Sequence, residues 1–184
     1  MRHSMRLMLP AVFLALTACD KSDTSSRPDG GETAVQVPQA AGKTATTIHL
    51  TVQGGPHAGT YDAESKDITC TYGFAGPGTW GNQYSVTGKT PNEFSSLQLI
   101  VDAKDAADGT DQFLMTVGFG ELMKDGYSEH TINTGKSASK KQGSGTIRID
   151  DRKTGGKVTF KGKTEDGVGL EGSIDCHEMM RSEG

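Results

Sequence analysis

Twenty-five glycines scattered through 184 residues leave this chain little room for long helices. Each glycine inside a helix costs about 1 kcal/mol relative to alanine, so bundles and coiled coils are disfavoured before any pattern is read. Leu, Ile, Val and Phe make up about 17% of the chain, below the roughly 20% expected where a domain fills its core with large aliphatic and aromatic groups. The fold is therefore expected to be lean, turn-rich and stapled. The formal net charge is -4, from 19 Lys and Arg against 23 Asp and Glu. That balance lacks the basic footprint of a nucleic-acid surface, and no nucleic-acid partner is expected.

The apolar pattern sets the element type. Between Thr46 and Val52, the residues Ile48, Leu50 and Val52 alternate with Thr47, His49 and Thr51, which is the period of a strand with one buried face. Gly54-Gly55-Pro56 ends that run, and a return follows over Gly59 to Asp62. Ile68, Cys70, Tyr72 and Phe74 share a face of the next candidate, closed by Gly76-Pro77-Gly78. Further strand-like runs cover Gln83 to Gly88, Phe94 to Asp102, Gln112 to Phe119, Tyr127 to Asn133, Gly145 to Asp150, Lys157 to Lys163 and Val168 to Cys176. Ser95 to Val101 and Phe113 to Val117 hold consecutive apolar residues, as central strands covered on both faces would. Asp102 to Ala107 or Phe119 to Lys124 leaves room for a helical turn. The expectation is an all-β domain over residues 46–178, an antiparallel sandwich or barrel of about 8–9 short strands stapled by one disulfide, with a disordered tail at 179–184.

Ahead of this domain, Arg2 and Arg6 precede an apolar run from Leu7 to Ala18, the layout of a secretory signal peptide over residues 1–18. The run is too short to cross about 30 Å of hydrocarbon as a helix. It ends in Leu16-Thr17-Ala18-Cys19, which closely resembles the lipobox of bacterial lipoprotein precursors. The resemblance implies cleavage before Cys19, a diacylglycerol on its sulfur and acylation of the new amino terminus. Several acyl chains, at about 0.8 kcal/mol per buried CH2, hold a protein to a bilayer far more firmly than one myristoyl chain. Residues 19–45 are rich in Ser, Thr, Gly and Pro with mixed charges and read as a flexible tether, placing the domain in the periplasm or on the cell exterior. The stretch from Gly162 to Cys176 is also distantly similar to the mycobacterial 19-kDa lipoprotein antigen family, in a strand that closes on a cysteine.

With Cys19 taken by lipid, Cys70 and Cys176 remain, and an exported pair is expected to oxidise to a disulfide. Neither lies in a CxxC, so they do not read as metal ligands. Several local matches fail on context. Gly76-Pro77-Gly78-Thr79-Trp80-Gly81 has the glycine spacing of a dinucleotide loop but is followed by a strand pattern rather than a helix. Ser137-Ala138-Ser139-Lys140 and Lys153-Thr154-Gly155 resemble elements of penicillin-recognising serine enzymes, yet both lie in polar loops. Asp102, Asp105, Asp108 and Asp111 cluster without the spacing of an EF-hand. His49, His57, His130 and His177 are too scattered to define a metal or acid-base motif, and no cofactor is expected.

Tyr72, Trp80 and Tyr84 form the candidate binding face, because Trp and Tyr give contact area with few rotors to freeze. The competing reading has Trp80 plugging one end of the sandwich. Together these residues lead to a lipid-anchored envelope protein whose non-catalytic β domain makes binding or structural contacts with an envelope protein or glycan. The alternative is a membrane-anchored hydrolase whose triad is invisible in sequence, since such triads are defined in space.

Overall fold

The computed structural model of the chain describes residues 43–102 and 106–182. The signal peptide, Cys19, the tether up to residue 42 and Asp105 of the acidic loop lie outside the described residues.

Two sheets make up the domain. One has five strands in the order β2-β1-β10-β9-β8, from β1 (Thr46–Gln53), β2 (Gly59–Ser65), β8 (Ser144–Asp151), β9 (Gly156–Lys163) and β10 (Gly169–Cys176). The other has six in the order β11-β3-β4-β5-β6-β7, from β3 (Cys70–Tyr72), β4 (Trp80–Ser85), β5 (Phe94–Val101), β6 (Phe113–Phe119), β7 (Ser128–Asn133) and β11 (Met180–Arg181). Neighbours pair antiparallel, except that β11 runs parallel to β3. Eleven strands thus form among the described residues, where about 8–9 were expected from turn spacing. β11, two residues long, is too short for alternation to register.

The alternation of β1 holds, with Ile48, Leu50 and Val52 almost fully buried. They face Leu97, Leu99 and Val101 of β5 and Met115 and Val117 of β6 within one core that both sheets share. β10 shows how a glycine-rich chain fills that core. A Cβ at Gly172 would collide with the His49 carbonyl oxygen of β1 and lie 2.9 Å from the ring of Phe160, so the neighbouring backbone and the ring together occupy the space a side chain would need.

Other departures have local causes. β5 and β6 are covered on one face only: Ile100 and Leu114 sit opposite each other on the outer face and remain partly exposed. Their apolar runs come from this cross-strand pair rather than from double burial. No helical turn forms at Phe119 to Lys124, which is a strand end and a turn. The run Ile68 to Phe74 shortens to Cys70–Tyr72: Gly73 at φ 81° turns the chain after Tyr72, and Ile68 and Phe74, both outside the strand, are exposed. The expected tail beyond 178 is ordered through residue 182, where Ser182 donates its N–H to the Tyr72 carbonyl and Arg181 pairs with Asp151 of β8.

Cys70 and Cys176 are bonded, with Cα atoms 6.1 Å apart, and the bond ties β3 of one sheet to β10 of the other. A polar collar surrounds it. Asn82 Nδ2 donates to Thr69 Oγ1 at 2.7 Å and lies 3.4 Å from Cys70 Sγ, while Thr69 Oγ1 donates to Thr46 Oγ1 at 3.0 Å.

Candidate functional site

The aromatic binding face expected from sequence is not on the surface. Trp80 lies in β4 rather than in a loop and is 2% exposed, and Tyr84, two pairs further along the same inward row, is 7% exposed. Burial raises the Tyr84 phenol above its ordinary pKa. Tyr72 is half-buried beneath Arg181, whose guanidinium carbon sits 5.0 Å from the ring centroid. Two of the three rings therefore belong to the core, and the plugging role is the one Trp80 has.

Sequence spacing gave no hint of the polar cluster that does form inside. Gly54 and Gly55 both take positive φ, a left-handed pair that folds the β1–β2 connection back over the domain end. This brings the buried His57 ring onto Phe119, stacked at 4.1 Å between centroids and 8° from parallel. His57 Nδ1 lies 3.2 Å from Nε2 of the buried His130 on β7, and His57 Nε2 lies 3.2 Å from Ser128 Oγ. The Tyr61 hydroxyl donates to the His57 carbonyl at 2.9 Å. His57 is held below the ordinary imidazole pKa, first by burial and then by the charge of His130. Asp166, on the β9–β10 connection, is held low mainly by the Thr164 hydroxyl and to a lesser degree by His130.

The row Ser128, His57, His130 has the order of a nucleophile, base and orienting group. Its electrostatics oppose that use. A general base near neutral pH needs a raised or matched pKa, and the orienting group here is a second imidazole, which disfavours a cationic His57 rather than stabilising it. The histidines that pair with carboxylates are the exposed ones, His49 with Asp62 at 2.6 Å and His177 with Asp175 at 3.8 Å. Among the described residues, no three His, Cys, Asp or Glu side chains converge as a metal centre.

A second feature spans the solvent face of the five-stranded sheet. Strand register sets Arg148 opposite Thr159, Thr159 opposite Ser173, and Ser173 opposite His49, a transverse row across β8, β9, β10 and β1. The short Thr159 and Ser173 form the floor of an open groove of about 690 Å³. Beside it Lys161 and Glu171 form a 3.0 Å ion pair across β9 and β10. The groove thus offers hydroxyls along its floor, Arg148 at one end and His49 at the other. The Ser137–Lys140 and Lys153–Gly155 segments lie in turns, as their polarity suggests.

These features describe a two-sheet β sandwich stapled across its layers, with a buried histidine pair and a broad polar groove. Comparisons with protein-family models, with curated proteins and with solved structures find no match to the chain.

Proposed function

We propose that the protein is a lipid-anchored component of the bacterial cell envelope whose sandwich binds a polar envelope polymer, a glycan or an extended protein segment, without chemically converting it. Leu16-Thr17-Ala18-Cys19 supports the anchor. The groove carries the binding part of this reading. Small hydroxyl residues between longer side chains make a channel that crosses the strands, and its donors and acceptors suit a ligand rich in hydroxyl and amide groups. In a fold whose own aromatic residues are mostly inside, it is a broad concave surface open to a partner.

The experiment has two arms. Cys19→Ser should leave an uncut or soluble form that no longer partitions with membranes, whereas recovery of the unsubstituted protein as an unmodified soluble species would remove the anchor. Thr159→Trp puts a bulky ring on the groove floor at a solvent-facing position, where the cost to stability is small. Titrated against purified envelope glycans and envelope proteins, it should weaken binding at least about tenfold, roughly 1.4 kcal/mol, with an unchanged unfolding midpoint.

The contact between His57 and Ser128 favours one other reading, an anchored hydrolase. Under the binding reading, Ser128→Ala leaves any ester, amide or glycoside turnover of the preparation at its background value. Turnover that disappears with that single substitution would establish the hydrolase instead.

A further inference from the structure

His57 and His130 lie outside the groove and are not needed for binding there. Their contact has a strict proton requirement: at 3.2 Å, one of the two facing nitrogens must offer a lone pair to the other's N–H. We infer that the His57–His130 contact is an acid-released latch, holding the β1–β2 loop over the end of the six-stranded sheet and letting it go when both rings carry a proton.

Charged, polar and apolar groups face the pair from four elements. From the β9–β10 connection, the Asp166 carboxylate interacts favourably with a charged His130. Glu165 beside it is engaged with Lys140 at 3.3 Å. On β7, Ser128 meets the far nitrogen of His57, and Glu129 holds the Tyr127 hydroxyl at 3.2 Å. From β2, Tyr61 offers only a hydroxyl, and from β6, Phe119 offers an apolar ring. A His130 cation still donates from Nε2 to a neutral His57, which leaves the latch shut. A second proton on His57 puts two N–H groups head to head and two charges side by side with little water between them. The docked geometry opposes that state, and His57 is held below its ordinary pKa first by burial and then by the His130 charge.

Linkage gives the sign. A docked His57 binds a proton less readily than a free imidazole, whose pKa is 6.5, so docking is at full strength above that value and weakens as pH falls below it. Release uncovers the face of Phe119 at an end of the domain that already presents Leu122, 62% exposed, and Met123, 93% exposed, in the connection between β6 and β7. Acid thus enlarges an apolar surface there.

Proton NMR of the folded domain tests this. Cross-relaxation between the His57 and Phe119 rings should be present at about pH 7.5 and lost at about pH 5, while the Trp80 indole signal, at the other end of β5, stays in place. In His130→Gln the contact should persist at both values, because the amide oxygen accepts a hydrogen bond from a protonated His57. His57→Phe keeps a ring on Phe119 without a titrating nitrogen, and it should abolish the fall in unfolding midpoint between the same two values. Persistence of the contact in the unsubstituted protein at the lower pH overturns the latch. So does its simultaneous loss with the Trp80 signal, equal loss in His130→Gln, or an unchanged fall in His57→Phe.

Discussion

Replacing Cys70 and Cys176 together by Ala is expected to cost about 4 to 5 kcal/mol of stability, because the bond closes 106 positions of chain and removes that freedom from the unfolded state. Domains are commonly stable by only about 5 to 15 kcal/mol, so the loss takes much of the margin. The bond also bridges two layers that at this end are joined besides by side-chain packing, the Arg181–Asp151 ion pair and the Thr69–Thr46 hydrogen bond. Thr46, Thr69 and Asn82 ring the sulfurs, and they would be left around a void the size of the missing atoms. Chemical denaturation with and without reductant measures the effect directly. A shift smaller than about 1 kcal/mol would mean that the paired sheets hold together without the staple.

Trp80→Ala is the second large effect, with an expected loss of about 3 to 5 kcal/mol from removal of a fully buried ring. Gly156 on β9 reserves the space for that ring, since a Cβ there would come within 3.0 Å of Trp80 Cζ2. Truncation therefore opens a cavity between β4 and β9 rather than clearing a surface. Denaturant midpoints report the loss. Binding of the envelope polymer, corrected for the folded fraction, should stay within about twofold; a tenfold drop at full folding would return Trp80 to the ligand.

The two outcomes separate what could be read along the chain from what needed the assembled sandwich. β1 is legible because Ile48, Leu50 and Val52 are apolar and their neighbours are not, so one period decides both the element and its buried face. The disulfide is legible because only two cysteines remain once Cys19 is assigned to lipid. β4 is harder. Trp80, Asn82 and Tyr84 share one inward row, but the middle member is an amide and Gly81 interrupts the run, so the period-two signal starts too late and Trp80 looks like part of the preceding turn. The histidine pair was out of reach for a different reason. His57 and His130 are 73 positions apart on segments that belong to different sheets, and the stacking of those sheets decides their meeting. The groove row of Arg148, Thr159, Ser173 and His49 likewise depends on strand order, since β1 lies beside β10 although the whole length of the domain separates them in sequence.

The position of β1 also determines how the domain bears a mechanical load. A pull directed along β1 from the chain ahead of the domain enters the strand at Thr46, its first residue. β1 is an interior strand, joined to β10 through eight register pairs and to β2 through seven. Force in that direction slides β1 against both neighbours at once, so the two ladders resist in shear instead of opening one pair at a time from a free edge. Thr46 lies opposite Cys176, and the disulfide there passes tension from the five-stranded sheet to β3 of the other layer. Force applied at that end is therefore met at the corner the disulfide reinforces, while the His57 loop lies at the far end of β1.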